Sequence, residues 1–127
     1  MSHRALIIEN DTASITSVID ALKYVDVTID VVHDVVEGLL ILHEHDYDML
    51  MINIMPNDCN GMEIISHVTN RFPKLSIIAY ADNSSEDFES ILLAAKASGA
   101  SYCFTKPLPI EAIVNITRQT LSLCPKV

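Results

Sequence analysis

Five times along the chain a short aliphatic run gives way to a segment with apolar residues at helical spacing, and this alternation restricts the fold more than any other feature. Ala5, Leu6, Ile7 and Ile8 form a continuous apolar run, as a strand covered on both faces requires. Ile15, Val18, Ile19 and Leu22 follow at i, i+3, i+4 and i+7, with Asp11 or Thr12 available as a cap. Val27, Ile29, Val31 and Val32 make a β-branched second strand. Asp34 and Glu37 have capping-box spacing and open a helix that runs to about Leu42. Met49, Leu50, Met51 and Ile52 are a buried third strand, followed by a helix with Met62, Ile65, Val68 and Phe72 on its apolar face. Pro73 ends that helix. Residues 76–80 read as a fourth strand, and Ser84 with Asp87 caps a helix whose stripe is Phe88, Ile91, Leu92 and Ala95. Gly99 stops it. Tyr102, Cys103 and Phe104 make a brief fifth strand, and Pro109 suits the first turn of a last helix that buries Ile113, Val114 and Leu121.

Five strand-then-helix units predict a parallel sheet with helices on both faces, because parallel neighbours are joined by right-handed crossovers. The 127 residues suffice for one such domain, spanning 1–127, and not for two. The reading is therefore a single doubly wound α/β domain with five strands and five helices. In such sheets ligands sit beyond the carboxyl ends of the strands. That rule selects the loops after Ile8, Ile52, Tyr80 and Phe104.

Charge narrows the function classes. The net charge is −9 and no cluster of lysine or arginine is present, which argues against direct nucleic-acid binding and against docking on an anionic membrane. The longest mostly apolar stretch, residues 35–42, contains Glu37 and is too short to cross a bilayer. Met1, Ser2, His3 and Arg4 lead straight into the first strand, so no secretory signal is expected. Cys59, Cys103 and Cys124 are odd in number and form no CxxC pair, the pattern of reduced thiols in a cytoplasmic protein.

The selected loops carry the chemistry. They hold Glu9-Asn10-Asp11, then Asn53-Ile54-Met55 leading to Asn60-Gly61, then Ala81-Asp82, and last Thr105-Lys106-Pro107. With Gly99-Ala100 ahead of Phe104 and Lys106-Pro107 behind it, this pattern resembles the receiver domain of two-component response regulators, over residues 5–121. The resemblance implies a flavodoxin-like, CheY-like fold with strand order 2-1-3-4-5. It also implies a site in which acidic residues hold magnesium and an aspartate after the third strand takes a phosphoryl group. A hydroxyl after the fourth strand and a lysine after the fifth would stabilise the product.

The match residue by residue is poor. Glu9 retains the first acidic position, but Asn10 stands at the second and Asn53 at the acceptor. The magnesium pocket would comprise Glu9, Asn10, Asn53 and Met55, a degenerate set from which no metal or other cofactor is expected. Ala81 replaces the switch hydroxyl and Cys103 the switch aromatic, leaving Lys106 intact. The resemblance thus implies an atypical, non-enzymatic member that lacks the phosphoacceptor, with no catalytic residue. Such a module would act through a protein partner or a fused output domain. Alternatives are phosphorylation on a non-standard acid, with Asp58 and Asp82 nearby though better read as solvated loop acids, or small-molecule sensing in the vacated pocket.

Lys106 is expected either to pair with Glu9 and donate to the Asn53 side-chain oxygen or to be merely tolerated in a loop. His43 and His45 stand two apart on a helix end and do not converge on a metal. Cys103 reads as a small buried hydrophobe. The resemblance also implies a homodimer or partner face on the fourth helix, fifth strand and fifth helix, carrying Glu89, Lys96, Tyr102, Glu111 and Arg118.

Overall fold

The structure is a computed structural model that describes residues 3–54, 60–82 and 88–122. Strands and helices alternate throughout: β1 (His3–Ile8), α1 (Thr12–Leu22), β2 (Val27–Val32), α2 (Val35–Glu44), β3 (Met49–Asn53), α3 (Asn60–Arg71), β4 (Ser76–Asp82), α4 (Phe88–Ser98), β5 (Tyr102–Lys106) and α5 (Ile110–Ser122). The strands form one sheet in the order β2-β1-β3-β4-β5, and every neighbouring pair is parallel. This is the flavodoxin-like, CheY-like arrangement. The expected Ser84–Asp87 cap, Met55, Asp58 and the Cys59 and Cys124 thiols lie outside the described residues.

Alternation along the central strands divides the interior into two cores. Leu6, Ile8, Leu50, Ile52, Ile77 and Ala79 face α2, α3 and α4, where Leu42, Ile65, Val68 and Ala95 meet them. Ala5, Ile7, Met49, Met51, Ile78 and Tyr80 face α1 and α5, where Val18, Leu22, Ile113 and Ile116 meet them. Two expected core residues fall at the margin. Ile19 is 40% exposed because Val18 and Leu22 centre the buried stripe of α1 and leave it on the flank. Val114 is half-buried, while Ile116, Thr117 and Thr120 complete the inner face of α5.

Two glycines set helix positions. A Cβ on Gly38 would stand 2.4 Å from Ile8 Cδ1, so its absence lets α2 approach β1 closely. Gly99 has φ +128°, a conformation L side chains rarely adopt, and a Cβ there would meet the Thr69 side chain. At the start of α2 the Asp34 carboxylate accepts the Glu37 N–H at 2.8 Å, as the capping spacing foretold.

The amino end of the sheet is closed by a polar clamp. Asp30 Oδ2 takes the Arg4 guanidinium and the Tyr47 hydroxyl, the latter at 2.6 Å, and Arg4 lies over the Tyr47 ring. Burial pushes the Asp30 carboxyl up, but the Tyr47 and Arg4 hydrogen bonds outweigh it and hold the group below its usual range. Asp48 accepts the Arg4 backbone N–H at 3.0 Å, tying β1 to β3. Among the described residues no helix is long and apolar enough to cross a membrane.

Candidate signalling site at the carboxyl edge of the sheet

Parallel strands bring their last residues to one edge. Glu9 follows β1 directly, Asn53 ends β3, Asp82 ends β4 and Lys106 ends β5. The sequence pattern places all four in loops, yet the ladders continue through three of them: Asn53 is in register with Tyr80, and Asp82 with Lys106. Glu9 is itself anchored, its N–H donating to Val32 O at 3.0 Å.

Glu9 is the centre of the site. Its side chain is 1% exposed, so its charge needs partners. Oε1 stands 3.0 Å from Lys106 Nζ and accepts the Tyr80 hydroxyl at 3.1 Å. Oε2 accepts Asn53 Nδ2 at 2.8 Å and the backbone N–H groups of Asn10 at 3.0 Å and Asp11 at 3.3 Å. A carboxylate has about four lone-pair directions, and five donors crowd them. Glu9 O also contacts His33 Nδ1 at 3.1 Å.

Lys106 is drawn inward by this arrangement. Besides Glu9 it lies 3.4 Å from Asp11 Oδ2 and 3.8 Å from Asp82 Oδ1. Burial pulls its pKa down, but the hydrogen bond and charge of Glu9, with Asp82 and Asp11, reverse the sign and raise it. The Asp11 carboxyl is lowered, chiefly by the Ser14 hydroxyl that donates to it at 2.6 Å and further by Lys106. The Lys106–Pro107 peptide bond is cis.

Asn53 does not receive Lys106. The carboxylate of Glu9 can only accept, so the amide must present Nδ2 to it, and Oδ1 is left buried without a partner among the described residues. The expected bond from Lys106 to the Asn53 oxygen is therefore absent. The ammonium instead takes the full charge of Glu9, a stronger attraction than an amide dipole offers. Asn10 is exposed and meets Glu9 through its backbone. A cavity of about 180 Å³ opens beside these groups, lined by Glu9, Asn10, His33, Asp34, Val35 and Asn53.

The two positions at which the resemblance implies a switch offer little polar chemistry. Ala81 is fully buried and in register with Thr105, offering only a methyl group. Cys103 is half-buried, pairs in register with Ala79, and burial pushes its thiol pKa up. Asp82, expected as a solvated loop acid, is a strand residue in reach of Lys106. His43 turns to His67 and Phe72, with ring centroids at 5.8 and 5.3 Å. Among the described residues no group of three or more His, Cys, Asp or Glu is placed to hold a metal ion.

Sequence reasoning missed Tyr80. Its ring is fully buried beneath Lys106, its hydroxyl bonds Glu9, and burial followed by the Glu9 charge drives its pKa upward. A signal was present: a tyrosine inside an aliphatic strand must find a partner for its hydroxyl, and the strand carries it towards the site.

Residues 5–118 match the response regulator receiver domain. The chain is 26% identical over 121 residues to the response regulator MprA of Mycobacterium ulcerans, an alignment covering 95% of this chain and 51% of that protein. It thus spans about half the length of that curated relative. Among solved structures it is similar to HP1043, an orphan response regulator of H. pylori, at a TM-score of 0.80 and 21% identity, covering 94% of this chain and 97% of that one. It is also similar to an atypical orphan response regulator with a phosphorylation-independent regulatory mechanism, at a TM-score of 0.77 and 21% identity, covering 94% and 95%. With the strand order, the retained Lys106-Pro107 pair and a family match across most of its length, the chain belongs to the response regulator receiver domains.

Proposed function

We propose that this receiver domain signals without phosphoryl transfer at position 53, by contact with a protein partner or by control of an attached output domain. The observation that carries the reading is the closed set of bonds around Glu9. Its carboxylate takes Lys106, Tyr80, Asn53 and two backbone N–H groups, so the lysine is already engaged by a side chain of this domain. An amide at position 53 lacks the anionic oxygen that forms an acyl phosphate. Nor do these residues suit magnesium, a hard cation that prefers several carboxylate oxygens. Glu9 is committed to nitrogen and hydroxyl donors, and Asn10 and Asn53 are neutral.

The solved relative with a phosphorylation-independent mechanism supports this assignment as a precedent within the fold. The same reading makes the domain a cytoplasmic, non-enzymatic module. Self-association through α4, β5 and α5, the face of Glu89, Lys96, Tyr102, Glu111 and Arg118, belongs to the proposal as well. Incubation with acetyl phosphate or beryllofluoride plus magnesium, followed by intact-mass and spectral measurement, tests it. No change is expected, and a gain of one phosphoryl group would overturn it. One observation favours a second reading: Asp11 and Asp82 approach Lys106, so either acid is a candidate acceptor. Peptide mapping of any phosphorylated product distinguishes them.

A further inference from the structure

The outer face of α2 is unlike a solvated helix surface. Its inner positions, Val35, Gly38, Leu39 and Leu42, already meet the sheet at Ile8 and Val32. Yet Val36 and Leu40, four residues apart, are 69% and 61% exposed. His43 lies on the same side one turn later and is exposed too, its ring turned towards His67 and Phe72 at the edge of the stripe. Single exposed apolar residues need no explanation, but a stripe at helical spacing is the footprint that receives a partner helix.

Charge identifies the partner. Residues 24–70 contain nine acids and no lysine or arginine, equal to the whole net charge of −9. Asp34 caps α2, Glu37 and Glu44 lie on it and Asp46 follows its end, and all four are exposed. A second copy docked symmetrically would set this acidic surface against itself, with like charges opposed. We infer that the α2 face receives an amphipathic helix of another protein, with apolar anchors at i, i+4 and i+7 flanked by lysine or arginine. The contact lies next to the degenerate site, since Gly38 packs on Ile8, the residue before Glu9. The inference deepens the proposal that the domain works through protein contact and rests on it. The acetyl phosphate result bears on that proposal alone.

The test uses the 127-residue chain and a synthetic peptide with three leucines at that spacing and arginines on both flanks. Binding is followed by fluorescence anisotropy at low and moderate salt, and the site is mapped by amide NMR shifts. Shifts should centre on α2, and affinity should fall as salt rises. The Val36→Ser/Leu40→Ser double variant, altered only at exposed positions, should bind at least about tenfold more weakly. Glu37→Lys/Glu44→Lys should weaken binding and flatten the salt dependence, while Leu93→Ser on α4 should change nothing. Equal binding by the double variant, shifts centred on α4 and β5, or no binding would each overturn the inference. Dimerisation of the chain that the double variant abolishes would also overturn it, by making a second copy the occupant.

Discussion

Replacing Glu9 by glutamine keeps the shape at the centre of the site and removes the charge that Lys106 faces. Asp11 and Asp82 remain within 4 Å of the ammonium, so Glu9→Gln should cost about 2 kcal/mol, less than the usual loss of a buried ion-pair partner. Urea denaturation measures it, and Tyr80→Phe should cost about 1 kcal/mol by the same method. Asn53→Asp acts differently. It sets a second carboxylate beside Glu9 Oε2, where the amide nitrogen now stands at 2.8 Å. Like charges so close resist joint ionisation, so this variant should be less stable than the parent at neutral pH and regain stability as the pH falls and one carboxyl takes up a proton. It should bind magnesium weakly and phosphorylate poorly; efficient phosphorylation would mean that the pocket had lost only its acceptor. The raised pKa of Lys106 sets an alkaline limit. The folded state holds that proton more tightly than the unfolded chain. The contribution is therefore complete below the ordinary lysine value of about 10.4 and is lost as pH rises through the folded value. Urea midpoints measured from neutral to strongly alkaline pH should fall on that side, and less so in Glu9→Gln.

At the scale of elements, Gly99 and Gly38 make opposite demands on the helices around them. Gly99→Ala combines a positive φ with a Cβ that would overlap Thr69, and should cost about 2 kcal/mol or more in thermal or urea unfolding. Gly38→Ala meets the end of the Ile8 side chain, so its cost depends on how far that side chain can turn within the core. The elements themselves were legible because each strand is an aliphatic run and each helix carries an apolar stripe. Their ends were not, since Asn53, Asp82 and Lys106 are polar residues that hydrophobic patterning reads as loops. They remain in strands because a parallel ladder extends as long as its neighbours do. The Glu9–Lys106 pair followed from charge, whereas the amide orientation of Asn53 and the role of Tyr80 depended on three-dimensional donor placement. The Asp30–Tyr47–Arg4 clamp was likewise invisible, because it joins residues from three separate segments.

Across the whole molecule, the proposed function, with the methyl group of Ala81 and the amide of Asn53 at the sheet edge, predicts one conformation under phosphorylating conditions. Thermal melting in acetyl phosphate and magnesium should match that in magnesium alone, since on the proposed reading acetyl phosphate has no native-state site to bind selectively. A clear upward shift would reveal a ligand-responsive site.

The contacts of Glu9 have a further consequence, in time rather than in energy. Its bonds reach 44 residues along the chain to Asn53, 71 to Tyr80 and nearly the full domain to Lys106. A cluster of such long-range contacts closes only after β1, β3, β4 and β5 have all come together, so it should form late on the folding path. Interactions absent from the transition state act on escape from the native state. In stopped-flow chevrons, Glu9→Gln should therefore steepen the loss of native protein while refolding proceeds at nearly the parent rate.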